Sequence, residues 1–153
     1  MMKDRKKCKI LVADDDPDDR FLLEDALTET QLADHLYFVE DGEQLMDYLH
    51  GQGKYTDPSS CPRPDLILLD LNMPRKDGRE ALKEIKSDPH LRQIPIVVFT
   101  TSKAEEDIYR TYDLGGNSFI SKPVSYEGLL KLMQQLGIYW FETVKLPMFK
   151  WHI

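Results

Sequence analysis

Three carboxylates, one hydroxyl and one ammonium stand at the ends of short apolar runs in this 153-residue chain, and their types suit one chemistry. Leu11-Val12-Ala13 runs into Asp14-Asp15, Leu66-Ile67-Leu68-Leu69 into Asp70, Ile96-Val97-Val98-Phe99 into Thr100, and Phe119-Ile120-Ser121 into Lys122-Pro123. Clustered carboxylates repel and raise one another's pKa unless a cation joins them; a hard divalent ion with oxygen ligands, Mg2+ above all, suits Asp14, Asp15 and Asp70. Lys122 is then the counter-charge for an anion bound beside the metal. Each residue also has a plainer explanation. Aspartates fill five of the six positions 14–19, a pattern usual for a solvated helix start. Threonine is common in strands, and Lys-Pro makes a turn. Asp70 resists such treatment, because a strand end needs no acid and a buried acid is costly unless paired. Their joint placement at four strand ends is what points to a site.

That placement depends on the elements. Lys9 to Ala13, Leu36 to Val39, Asp65 to Asp70, Pro95 to Thr100 and Ser118 to Ser121 read as strands. Between them apolar residues recur at helical spacing: Phe21, Leu22, Ala26 and Leu27; Leu45, Met46 and Leu49; Ala81, Leu82 and Ile85; Ile108, Tyr109 and Tyr112; Leu129, Leu132, Met133 and Leu136. Leu66–Leu69 and Ile96–Phe99 are continuously apolar, as in strands covered on both faces by crossover helices. The expected fold is therefore α/β, a doubly wound five-stranded parallel sheet with five flanking helices. In such a sheet ligands bind at the carboxyl ends of the strands, where the strand order reverses. Asp16-Pro17 predicts the start of the first helix, Ser102 to Glu105 a capping box before the fourth, and Ser125 the cap of the fifth. Residues 51–64, with Gly51, Gly53, Pro58, Pro62 and Pro64, read as a loop, and the chain after Gly137 as an appendix.

With these residues in place, the sequence resembles the receiver domain of two-component response regulators, a flavodoxin-like fold. The resemblance rests on Leu11 to Asp16, Leu68 to Pro74 with Asp77-Gly78, Phe99 to Ser102, and Ser121-Lys122-Pro123, with 55, 30 and 22 residues separating Asp15, Asp70, Thr100 and Lys122. It divides the chain into a receiver domain, 8–137, and a C-terminal aromatic extension, 138–153. The long Pro-rich loop, Lys86-Ser87-Asp88-Pro89 and the tail from Tyr139 to Pro147 look like the stand-alone regulators that serve phytochrome-type histidine kinases. The resemblance implies that Asp70 accepts a phosphoryl group from a kinase phosphohistidine. It implies Mg2+ on Asp15, Asp70 and the backbone carbonyl of Asn72, with Asp14 through water. Thr100 then bonds the phosphoryl oxygen and Lys122 pairs with it. Phe119 takes the place of the aromatic switch residue, without the commoner tyrosine hydroxyl. Ser102 and Asn72 flank the water path, and Lys122-Pro123 is expected as a cis peptide.

Other classes fit less well. Haloacid-dehalogenase phosphatases use the same ingredients but need a second Asp two positions after the nucleophile, where this chain has Asn72. A nucleotide-binding module needs a glycine loop after the first strand, where this chain has Asp14-Asp15-Asp16. A phosphorelay intermediate and a phosphorylation-independent scaffold are the remaining alternatives, though a scaffold usually lacks the acceptor or the acid pair. A net charge of −7 gives no basic face for nucleic acid. Cys8 and Cys61 are too few for a disulfide framework, and no apolar run approaches the length of a membrane span. A cytoplasmic signalling protein, not an enzyme turning over a separate substrate, is expected. The tail holds Tyr139, Trp140, Phe141, Phe149 and Trp151. Exposure of that much apolar area predicts that it crosses to a second copy and makes a homodimer, the alternative being that it folds back as extra core.

Overall fold

The structure is a computed structural model that describes residues 8–31 and 35–147. Its elements are β1 (Ile10–Ala13), α1 (Pro17–Glu29), β2 (Leu36–Val39), α2 (Gly42–His50), β3 (Leu66–Leu69), α3 (Gly78–Ser87), β4 (Ile96–Thr100), α4 (Glu105–Asp113), β5 (Ser118–Ser121) and α5 (Tyr126–Gly137). All strands are parallel, in the order β2-β1-β3-β4-β5. The order reverses between β1 and β3, so the residues that follow these two strands, Asp14 and Asp70, flank the switch point.

Alternate strand residues supply two cores. Leu11, Ala13, Ile67, Leu69, Ile96 and Val98 pack with α2 and α3 through Leu45, Leu49, Leu82 and Ile85. Ile10, Val12, Leu66, Leu68, Val97 and Phe99 pack with α1 and α5 through Leu23, Leu27, Leu129 and Met133. Both faces of the central strands are therefore dry, which is why their sequences do not alternate. Among the described residues, no helix is long and apolar enough to cross a membrane.

Capping chemistry sets most helix starts as expected. Asp16 accepts from the amides of Asp18 and Asp19 with Pro17 at the first helical position, and Ser125 accepts from Gly128. The fourth helix departs from expectation: Ala104 is its N-cap residue and has no capping side chain. Ser102 instead donates its hydroxyl to Asp107 and accepts from the Ala104 amide, which lies before the helix, so it caps none of the helical amides. Within 51–64, Gly53–Tyr55 forms one 3-10 turn.

After Gly137 the chain continues as a π-helical turn, Ile138–Thr143. Trp140 is buried against the α1–α5 core, and Phe141, Val144 and Leu146 pack against the same cluster. Trp140 and Phe141, expected at an interface, are thus largely used within their own chain. The reason is local: helical continuation of α5 carries Trp140 over the turn below it, onto apolar surface that would otherwise be wet. Tyr139 is exposed, whereas Phe149 and Trp151 lie outside the described residues.

Candidate functional site

The register brings the expected residues to one edge. Ala13 pairs with Leu69, so Asp14 and Asp70 leave the sheet side by side, and the Asp70 amide donates to the Ala13 carbonyl at 3.0 Å. Phe99 pairs with Ile120, so Lys122 stands two rows beyond Asp70, a span that a four-carbon stem covers. Asp14 and Asp70 are buried, at 4% and 7% exposure, Thr100 is fully buried, and Asp15 is exposed.

Lys122 ties the carboxylates together. Its ammonium donates to Asp14 Oδ2 at 2.8 Å, Asp19 Oδ2 at 2.8 Å and Asp70 Oδ2 at 2.9 Å, using all three hydrogens. Burial alone would lower the Lys122 pKa, but the three carboxylates outweigh it and hold the ammonium above its usual range. Burial pushes the Asp14 carboxyl up, against the bonds from Lys122 and the Asp16 amide. The second oxygens are also committed: Asp14 Oδ1 accepts from the Asp16 amide at 2.9 Å, and Asp70 Oδ1 from the Asn72 amide at 3.3 Å. Arg20 fixes the β1 end by donating to the Asp14 carbonyl at 2.7 Å.

Asp14, Asp15 and Asp70 each offer a carboxylate oxygen within 4.8 Å of the others. Three hard oxygen donors at that separation fit a small divalent cation, and a cluster with one lysine for three buried or half-buried acids accommodates a second positive charge. Gly78 lets α3 close over this region. Its amide donates to the Leu71 carbonyl at 2.9 Å, and a Cβ there would stand 2.7 Å from Leu71 Cα and collide with the Asp70 carbonyl.

Thr100 Oγ1 accepts from the Ser102 amide at 3.3 Å. Phe119 is half-buried against the α2–α3 core, and its amide donates to the Tyr112 hydroxyl at 3.1 Å. The Lys122–Pro123 peptide bond is trans, not cis as expected from the resemblance. Trans is the lower-energy isomer of an Xaa-Pro bond by roughly 0.5–1 kcal/mol, and Lys122 reaches all three acids from it.

Sequence reasoning missed two features. Asp19 reads as a helix-start acid, yet α1 brings it round to Lys122; its spacing of five from Asp14 carries no signal for that. Arg79 and Asp107 form a bidentate pair between α3 and α4, 28 residues apart in sequence, with Nε–Oδ1 at 2.7 Å and NH2–Oδ2 at 2.6 Å. Only the packing of the two helices reveals it.

Comparison with known proteins agrees with this geometry. The family model for the response regulator receiver domain matches residues 10–134. Response regulator Rcp1 of Synechocystis is 42% identical over 138 residues, which are 90% of this chain and 92% of that protein. The crystal structure of the phosphorylated cyanobacterial phytochrome response regulator RcpA superposes with a TM-score of 0.85 at 42% identity, covering 92% of this chain and 99% of that one. The crystal structure of the Mn2+-bound form of Rcp1 gives 0.83 at 41% identity, with the same shares covered.

Proposed function

The chain belongs to the response regulator receiver domain family, and we propose that Asp70 is its phosphoacceptor, taking a phosphoryl group from the phosphohistidine of a sensor histidine kinase. The observation that carries the reading is the set of three hydrogen bonds that Lys122 donates to Asp14, Asp19 and Asp70 beside a three-carboxylate cluster. The match to RcpA, a phytochrome response regulator, supports a phytochrome-type kinase as donor.

Asp14, Asp15 and Asp70, with the backbone carbonyl of Asn72, would hold Mg2+. When bound, the ion neutralises charge on the transferring phosphoryl oxygens. The remaining work falls to the protein. Asp70 supplies the nucleophilic oxygen, kept in line by the Asn72 amide on its other oxygen. The phosphorus–nitrogen bond to the donor histidine breaks as the phosphorus–oxygen bond to Asp70 forms, and the imidazole leaves neutral after taking a proton. Lys122 then pairs with the phosphoryl oxygens, and the Thr100 hydroxyl donates to one of them. No side chain corresponds to a general acid two positions after Asp70, so transfer from small donors and hydrolysis are slow side reactions rather than turnover.

Phosphorylation moves Thr100 and the segments after β4 and β5, with Phe119 following as an apolar switch. We read the protein as cytoplasmic and as a homodimer. The apolar side chains left outside both cores favour the latter: Ile108, Tyr109 and Tyr112 on α4, with Ile138 and Tyr139 after α5. Solution mass at micromolar concentration tests it, and a monomer with or without phosphate ends it.

The acceptor is tested by intact mass after mixing with Mg2+ and acetyl phosphate. The parent gains one phosphoryl adduct and Asp70→Asn gains none, because the amide keeps the shape but is a far poorer nucleophile. An adduct of equal yield in the variant would place the acceptor elsewhere.

A further inference from the structure

α4 is the helix with the least apolar anchorage. Its only buried side chain is Thr111, and Ile108, Tyr109 and Tyr112 are exposed, whereas α1, α2, α3 and α5 each bury two or more nonpolar side chains. Its first turn is held by charge instead. Arg79, in the first turn of α3, grips both oxygens of Asp107 in a charge-assisted fork. Ser102 Oγ donates to the same carboxylate at 2.7 Å, and the Ala104 amide donates to Ser102 Oγ at 3.3 Å. The Arg79 bond, joined by the Ser102 bond, holds the Asp107 carboxyl at about 2, so the group is ionised throughout the neutral range. At the other end of the chain of contacts, the Ser102 amide sits on Thr100 Oγ1.

We propose that Arg79 and Asp107 are positioning residues for the phosphorylation of Asp70: by holding Ser102 they hold Thr100 in its resting arrangement, and phosphorylation proceeds against this latch. The inference rests on the phosphoacceptor reading above. A Thr100 that turns toward a phosphoryl oxygen either gives up the bond from the Ser102 amide or draws Ser102 with it. The second route keeps that amide satisfied but pulls the serine hydroxyl from Asp107, which is pinned to α3 by Arg79. A contact made in the resting arrangement and strained in the phosphorylated one biases the balance toward rest. With little apolar surface to anchor it, α4 depends on this contact more than the other helices do on theirs. A latch that only braced α4 would matter for stability and leave the rate of phosphorylation untouched or lower.

The test uses the full chain with Mg2+ and acetyl phosphate, reading the initial rate of adduct formation by intact mass and the melting temperature of each variant. Asp107→Asn and Arg79→Gln should each raise the rate about fivefold while melting at or below the parent temperature. The double variant should be no faster than the faster single, because the two residues act as one unit. Arg79→Lys, which keeps the charge and loses the fork, should fall between Arg79→Gln and the parent. Ser102→Ala cuts the same chain without leaving an unpaired charge, so it reads the latch even if the charge variants fold poorly. Folded variants with parental or lower rates overturn the proposal. A folded parent that gains no adduct overturns the phosphoacceptor reading itself, and the latch falls with it.

Discussion

Lys122 is the residue on which the site's electrostatics turn. Its removal leaves Asp14 and Asp70 buried beside one another with no ammonium between them, an arrangement that costs several kcal/mol when one partner of a buried pair is lost. Lys122→Met should therefore lower unfolding free energy by about 3 kcal/mol at neutral pH in divalent-free buffer. The loss should shrink on acidification. Burial raises the Asp14 carboxyl above its usual range while the Lys122 bond lowers it, so removing Lys122 raises it further, the folded variant gains more stability than the parent as pH falls through that value, and the deficit narrows. Urea titrations at about pH 7 and about pH 5 check the sign; an equal deficit at both would mean lost packing rather than lost neutralisation. Asp15 makes the complementary case. It is exposed and lies outside the lysine network, so Asp15→Ala should leave stability nearly unchanged while weakening Mg2+ binding, measurable by calorimetry.

At the scale of elements, the approach of α3 to the β3 end decides where Asp70 sits. Gly78 follows the Asp77 cap and lies against the backbone of Asp70 and Leu71, so Gly78→Ala must displace one or the other. The expected cost is about 2–3 kcal/mol of stability, with a fall in phosphorylation larger than the folded fraction explains. Thermal melting and adduct formation measured on the same sample separate the two effects. The α3–α4 tie has a pH dependence of its own. Asp107 is held at about 2 by the Arg79 fork, so the stability it contributes is present in full above the unfolded carboxyl value and is lost as pH falls toward the folded one. Melting curves of Asp107→Asn should therefore approach those of the parent as pH drops from about 5 toward about 3.

For the molecule as a whole, the segment after α5 carries the main revision. Trp140 is 7% exposed, and its neighbours Phe141, Val144 and Leu146 close the α1–α5 core. Trp140→Ala should cost about 3–5 kcal/mol, read by urea denaturation. A chain ending at Gly137 should melt well below the parent, because Leu129 and Met133 lose their cover. That result would make 138–146 part of the receiver's own core, whatever the oligomeric state, whereas an unchanged melting point would restore the division at 137. The exposed apolar side chains left for a dimer contact among the described residues include Ile108, Tyr109 and Tyr112 on α4, Phe21 and Leu22 on α1, Val124, Ile138 and Tyr139.

Amino-acid order alone determined the parallel sheet, because strands dry on both faces must be continuously apolar, and it determined the acidic and basic residues at the strand ends, because a buried acid after four apolar residues has no structural use. It also marked Asp16, Pro17 and Ser125, whose caps depend on neighbours only two or three residues away. What it could not show was where long side chains finish. Asp19 on Lys122, Ser102 on Asp107 and Arg79 across to α4 join residues 103, 5 and 28 apart in sequence. The shortest of these reads equally well as a capping box until α3 is in position. The fate of Trp140 was undecided for the same reason: an aromatic residue near the end of a chain suits a partner or its own core, and only the apolar surface of α1 and α5 that Trp140 covers, formed once both helices are docked on the sheet, decides between them.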